Sequence, residues 1–510
     1  MLKAESLILS PREAHAAEQQ WRIVKRSIDA RQRELRVHLT ILTDDQGKPV
    51  PKDAPIPLYT PPTFQDVHNA ARSAIIIGAG PAGLFAALTL IEHGIKPIIY
   101  ERGKEVSERK KDIALLNRNE GLNPESNYCF GEGGAGTFSD GKLFSRSKKR
   151  GNMQRVMELF HFFGAPDTVL YEAHAHIGSD KLPGIIKNIR ECILEHGGEI
   201  HFNLRIDDLR FNDFIQAKIP LILAIGHSAH DTYRMLAAEG VALETKGFAM
   251  GVRAEHPQAL INKLMYHLTG EAGLIDYVGN ASYSLVTQVD GRGVYSFCMC
   301  PGGHIVPAGS TPDTCVVNGM SASHRNSPFA NSGMVVQINP EDIPGDDPLR
   351  GLEYQEALER LSYSEAVLQQ RDLTGENGLT AKRSVVAPAQ RLRDFVEGRA
   401  SKDLPACSYL PGIVPSRLDQ WLPAHIGKRL QQGFRDFDRK YPGFLTNDAV
   451  ILGVESRSSS AVRIPRDPDT LQSVSTPLLY PCGEGAGYAG GITSSALDGI
   501  NAALQIANLA

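Results

Sequence analysis

The sequence predicts an α/β protein: a Rossmann-like dinucleotide-binding domain, interrupted by an inserted α+β domain and preceded by a small α/β module. Three observations predict it. Residues 74–101, AIIIGAGPAGLFAALTLIEHGIKPIIYE, read as strand, glycine turn, helix, strand and acid. Residues 480–495, YPCGEGAGYAGGITSS, follow an apolar strand and open the last helix, Ile492 to Ala510. Between residues 247 and 441 the pattern changes to alternating stretches mixed with long polar helices such as Arg417 to Arg439.

In chain order, residues 1–47 are expected to form the small module, with a strand Ala4–Leu9, a helix Arg12–Arg26 and a strand Leu35–Leu42. Residues 48–70 are a linker, with six prolines between Lys48 and Phe64 that remove donors and fix φ. Residues 71–246 form the first part of the dinucleotide domain. Ala74–Ile77 is a short buried strand, and Gly78, Gly80 and Gly83 make G-x-G-x-x-G, with Pro81 and Ala82 at the helix start. Gly94 closes that helix, Pro97–Tyr100 is the next strand, and Glu101 and Arg102 follow it. A helix Leu182–Leu194, a strand Ile200–Asn203 and an apolar strand within Pro220–Gly226 complete this part. Residues 247–441 are the inserted substrate domain, and residues 442–510 return to the dinucleotide domain through AVILGVE and LLYPCGEG.

Each motif points to a chemistry. Gly78 permits a tight turn, Gly80 lets backbone approach a pyrophosphate, and Gly83 lets the helix pack on its strand. The helix N-terminus offers free N–H groups to phosphate, and Glu101 stands where a ribose-binding acid is required. The loop FGEGGAGTFSDGK (130–142) carries five glycines; Gly133, Gly134, Gly136 and Thr137 are cofactor candidates in it. Gly483 and Glu484, with Gly491 at the last helix, form a second cofactor-facing segment. Two such segments argue for resident, non-covalent FAD over NAD. A second G-x-G-x-x-G is missing, so NAD(P)H is expected only as a transient donor.

For the reaction itself, Cys298 and Cys300 are two apart in a strand, so both thiols are expected on one side. Their Cα spacing of about 6.6 Å is at the long edge of disulfide geometry, and buried inert cysteines are the alternative. His227, His230 and His304 are candidate proton donors. Arg253, Arg457 and Arg463 are candidate ligands for an acidic substrate, with local ion pairs as the alternative. No metal-site spacing of Cys or His is found.

Composition narrows the class. A net charge of −4 over 510 residues gives no case for nucleic-acid or membrane binding, and no run approaches the ~18 apolar residues of a membrane span. Early acids and a short apolar run at the N-terminus do not suit a signal peptide, and seven scattered cysteines do not suit a disulfide framework. A cytoplasmic location and a small-molecule substrate are expected. Two basic clusters stand out: Arg22, Lys25, Arg26, Arg31, Arg33 and Arg36, and the SRSKKR run from Ser145 to Arg150. They read as solvated faces, with an RNA-associated flavoprotein as one alternative and a non-catalytic flavin scaffold as another.

The pairing of GAGPAG…YE with GEGAGYAGGI resembles glutathione-reductase-type FAD flavoproteins. NPESNYCFGEGGAGTFSDGK, LAIGHSAHDTY, YSFCMCPGG, NGMS, VESRSSSAVRI and GEGAGYAGGITSSALDG together resemble a bacterial group of uncharacterised FAD-dependent dehydrogenases within that superfamily. The resemblance covers nearly the whole chain. It implies that Gly78, Gly80 and Gly83 hold the pyrophosphate and Glu101 the adenosine ribose. Ile206 would lend its backbone to the adenine, and Ala224 and Gly226 would flank the position where Ile225 replaces the usual Thr. Gly483 and Glu484 would lie on the ribityl chain, and Ile492 near the flavin pyrimidine. The chain departs from the group at His230, where Arg is usual, and at Ser458–Ala461, where Thr-Ser-Ser-Pro is usual.

Overall fold

The computed structural model describes residues 2–32, 34–143, 151–267, 273–374 and 385–509. The N-terminal module is β1 (Lys3–Leu9), α1 (Pro11–Gln20), β2 (Ile23–Asp29) and β3 (Arg36–Thr43), with the sheet ordered β1-β3-β2 and antiparallel throughout. Ser10 and Glu13 form a capping box that starts α1. The helix expected through Arg26 stops at Gln20, and Ile23–Asp29 is a strand instead. Ile23 and residues 25–29 find their backbone partners along β3 instead of in a further helical turn.

The dinucleotide domain follows as β4 (Ser73–Ile77), α2 (Pro81–Glu92), β5 (Lys96–Tyr100), α3 (Val106–Asn117), α4 (Met153–Phe162), α5 (Leu182–Glu195), β6 (Glu199–His201), β7 (Leu221–Leu223) and α6 (His230–Ala238). It closes at the far end of the chain with β17 (Leu479–Pro481) and α9 (Ile492–Ala507). The sheet is all parallel, ordered β17-β7-β4-β5-β6. This is a doubly wound order, and its switch point lies between β4 and β7. Alternate residues of β4 serve opposite cores: Ala74 and Ile76 pack with α2, α5 and α9, while Ile75 and Ile77 pack with Tyr233 and Leu236 of α6. Burial on both faces explains why these strands read as unbroken apolar runs.

Between α6 and β17 the insert forms a second sheet. Its strands are β8 (Phe248–Pro257), β9 (Val286–Val289), β10 (Arg292–Cys300), β13 (Phe329–Ile338), β14 (Ala387–Arg391), β15 (Ile413–Pro415) and β16 (Val450–Glu455). They are ordered β9-β10-β13-β8-β16-β14-β15, and a separate hairpin pairs β11 (His304–Pro307) with β12 (Val317–Met320). β16 corrects the expected boundary at residue 441. AVILGVE pairs with β8 and β14 inside the insert's sheet rather than joining the dinucleotide domain. Being buried along its whole length, β16 imitates a parallel strand. α7 (Arg350–Thr374) and α8 (Ala424–Lys440) accompany this sheet. The helix expected from Arg417 to Arg439 breaks at Leu422–Pro423, since proline cannot donate to the preceding turn.

The two ends of the dinucleotide domain meet at α2 and α9. A Cβ at Gly499 would overlap the carbonyl of Ala82, so the two helices are in backbone contact there. Asp498 beside it accepts Gly483 N–H at 2.7 Å and pairs with Arg466 at 2.6 Å, fixing the turn that leads into α9. Gly499→Ala is expected to cost about 1–3 kcal/mol by overpacking. A lower urea midpoint of the holoprotein would show it, and an unchanged midpoint would refute the contact.

Candidate functional site

At the switch point a cleft opens between the two sheets. Gly78, Gly80, Pro81, Ala82, Glu101, Arg102, Gly134, Gly136, Ile206, Ala224, Gly226, Gly483, Glu484, Gly491 and Ile492 all line it. They come from six separate stretches of chain, brought together by the parallel strand ends.

Glu101 organises one end. Its buried carboxylate accepts Ala79 N–H at 2.8 Å, Gly103 N–H at 2.9 Å and Gly131 N–H at 3.0 Å. The turn after β4, the turn after β5 and the glycine loop are thereby held on one side chain. Gly80 caps α2 with no side-chain partner, leaving the first N–H groups of the helix free for an anion. A Cβ at Gly134 would lie 3.1 Å from the Cα of Gly80, so the two glycines face each other across a cradle that a side chain would fill. These donors, the buried acid and the cradle fit FAD.

Arg109 supports the loop from behind, and nothing in its local sequence signals it. Fully buried, it donates to the carbonyls of Asn127, Tyr128, Gly131, Glu132 and Gly134 at 2.8–3.2 Å. Burial pulls its pKa down to about 10, which leaves it charged at neutral pH. Arg102 lies 4.0 Å over the Phe130 ring and pairs with Asp231 and Glu125.

Three expected cofactor residues sit behind the cleft wall rather than on it. Gly83 packs against the carbonyl of Gly78. Gly133 donates to Ala79 O at 2.8 Å, and Thr137 packs on Gly133. They shape the turn and the loop.

The expected catalytic pair does not share one face. β10 carries a bulge: its pairing with β13 shifts register between Phe297 and Cys300, and Cys298 takes a left-handed φ of 43°. Cys298 therefore opens onto the cleft, with its side chain exposed there. Cys300 turns inward, its thiol donating to Cys298 O at 3.3 Å. His304 is exposed on β11, away from the cleft.

The arginines also separate. Arg253 is wholly buried and paired with Glu455 at 3.0 Å, so it cannot reach an acidic substrate. Arg463 is exposed beside Tyr488, off the cleft. Arg457 does line the cleft, but it is paired with Glu359 at 2.8 Å and donates to Ser310 at 2.9 Å. Burial works against its charge, yet Glu359 outweighs burial and holds its pKa above the ordinary arginine value. His227 lines the cleft 3.4 Å from Glu484, whereas His230 is buried on Glu356 at 2.9 Å, where burial lowers its imidazole pKa against the pull of that carboxylate. Phe297, in YSFCMCPGG, and Asn318, in NGMS, line the cleft too, with no role expected of either from sequence.

Of the basic N-terminal cluster, Arg26 is buried between Glu18 and Glu172, Arg31 sits on Asp29 and Arg36 on Glu34. Arg33 and the SRSKKR run lie outside the described residues. Among the described residues no helix is long and apolar enough to cross a membrane, and no group of three or more His, Cys, Asp or Glu is placed to hold a metal.

Residues 72–125 match the FAD binding domain family, and residues 247–458 match the family described as FAD-dependent protein, C-terminal domain-like. FAD is the cofactor. An uncharacterised protein of Clostridium beijerinckii (strain ATCC 51743 / NCIMB 8052) is 43% identical over 446 residues, covering 85% of this chain and 80% of its own length. Likeness to solved structures is loose. Halogenase PltM is 12% identical with a TM-score of 0.32 over 86% of this chain and 68% of its own. CtdE in complex with FAD is 9% identical with a TM-score of 0.27 over 86% and 83%. Neither carries any conclusion about this chain.

Glu132 sets a pH dependence. Burial raises its pKa to about 7, although its Oε2 accepts Val106 N–H at 2.7 Å and Arg190 at 3.0 Å; Oε1 has no partner among the described residues. The folded protein thus holds this proton more tightly than the unfolded chain. The resulting stability is full below about pH 4.5 and is lost as the pH rises through 7. Between pH 6 and 8 the stability of wild type relative to Glu132→Gln is expected to fall by about 1 kcal/mol. A pH-independent difference in urea midpoints would refute this.

Proposed function

The chain belongs to the family of FAD-dependent proteins that share this C-terminal domain and is an FAD-dependent oxidoreductase; from that premise we propose that it passes a hydride between flavin and a small organic substrate. The observation that carries the reading is the meeting, in one cleft, of the β4–α2 turn and the glycine–acid segment before α9. Glu101 would hold the adenosine ribose, the first turn of α2 the pyrophosphate, and Glu484 the ribityl hydroxyls. This division of labour supports placing the chain with glutathione-reductase-type flavoproteins. Bound FAD supplies two-electron redox chemistry. The chain's own part is to keep that chemistry dry and oriented: the bulged end of β10 walls the cleft, and Arg457 is locked against Glu359.

Electrons would come from NAD(P)H docking transiently, because a second resident dinucleotide motif is missing from the sequence. A cytoplasmic setting agrees with the free state of all seven cysteines. The RNA-associated alternative loses support where Arg26, Arg31 and Arg36 already pair with acids of this chain.

Purified protein is expected to be yellow and to release intact FAD on denaturation, as read by mass spectrometry. Anaerobic NADH or NADPH is expected to bleach the visible flavin band. A protein that stays colourless after incubation with FAD overturns the proposal. Yellow protein that neither nicotinamide reduces overturns only the choice of donor.

A further inference from the structure

Arg253, unable to meet substrate itself, holds the groups that can. Its guanidinium donates to Asn331 Oδ1 at 2.9 Å, Cys298 O at 2.8 Å and Asn318 Oδ1 at 3.3 Å, while Glu455 balances its charge. Gly319 leaves the room this requires, since a Cβ there would overlap the guanidinium. One fixed cation therefore sets both the bulge carbonyl and an amide on the cleft wall.

Asn318 is half-buried on β12 and lines the cleft. Its Oδ1 also accepts the N–H of Gly319 at 2.7 Å. Two donors on that oxygen fix the amide's orientation and leave Nδ2 with two hydrogens and no partner among the described residues. The neighbouring groups set the chemistry. Phe297 offers an aromatic surface, and the Cys298 thiol beside it stays protonated and neutral. Arg457 on the same cleft is already neutralised by Glu359, as Arg253 is by Glu455. Among the described residues that line the cleft, the arginines are all paired with acids, so a carboxylate would lose its hydration without gaining a free cation on the wall, whereas a neutral carbonyl oxygen needs only a donor.

We propose that Asn318 Nδ2 is the substrate-recognition donor of this cleft, and that the substrate class is a neutral, partly aromatic or apolar molecule carrying a carbonyl oxygen. Arg253 acts as a positioning residue through the amide. The proposal rests on the FAD-dependent reading above and narrows it.

The test titrates the FAD-loaded protein with acetophenone and with benzoate, a near-isosteric anion, following the difference spectrum of the bound flavin. Acetophenone is expected to bind saturably and at least about tenfold more tightly than benzoate. Asn318→Ala is expected to weaken acetophenone about tenfold, with FAD content and the unperturbed spectrum unchanged. Arg253→Lys, which keeps the charge opposite Glu455 but not the fork, is expected to weaken acetophenone and leave benzoate as it was. Benzoate binding as well as acetophenone, acetophenone binding unaltered in Asn318→Ala, or neither probe binding to FAD-loaded protein overturns the subsite. Failure to load FAD at all overturns the cofactor reading and the subsite with it.

Discussion

The carboxylate of Glu101 is the point on which the cofactor cleft depends. Three segments with no other common anchor, the turns after β4 and β5 and the glycine loop near Gly131, each donate one backbone N–H to it. Hydrogen bonds to a charged acceptor are stronger than neutral ones, and burial raises the cost of leaving any of them unmade. Arg109 is the complementary device. A buried cation surrounded by carbonyls draws the same loop inward from the opposite side. The loop is thus held by one acid at its donors and one base at its acceptors, and glycines supply the backbone freedom between.

The opposite wall is built by a different rule. The insert's sheet brings Arg253 on β8 against Glu455 on β16 in the middle of a sandwich of strands, where an isolated charge would be prohibitive. The pair is retained in a place where apolar residues would pack as well for stability alone. What it secures is shape: the bulge at Cys298 and the amide of Asn318 both lean on that guanidinium. Strain at a left-handed cysteine persists only where its surroundings over-determine it, and here they do.

Much of the dinucleotide half was legible because its signals are local. Gly78 to Glu101 spans one βαβ unit, and the turn, helix and acid are fixed by residues within it. The wall residues were illegible for the converse reason. That Cys298 faces the cleft and Cys300 does not follows from where β13 pairs, and strand alternation taken from β10 alone gives the wrong face. Arg253 and Arg463 look alike in sequence; only β16 and Glu455 make one a buried strut and leave the other at the surface. The same dependence on a partner strand turned residues 23–26, the end of the expected helix, into part of an edge strand, and moved AVILGVE from one domain to the other. Arg109 had no motif because five backbone carbonyls leave no signature in side-chain identity.

The contact of α2 with α9 places a constraint on how the protein comes into being. Ala82 precedes Gly499 by about 400 residues, so at ribosomal speeds of roughly 5–20 residues per second α2 waits tens of seconds for its neighbour. Throughout that interval the face of α2 that meets α9 lacks its cover, while β4, β5 and α5 can already pack on the rest. The cofactor cleft, which needs the β4–α2 turn together with Gly483 and Glu484, is complete only once both segments have been made.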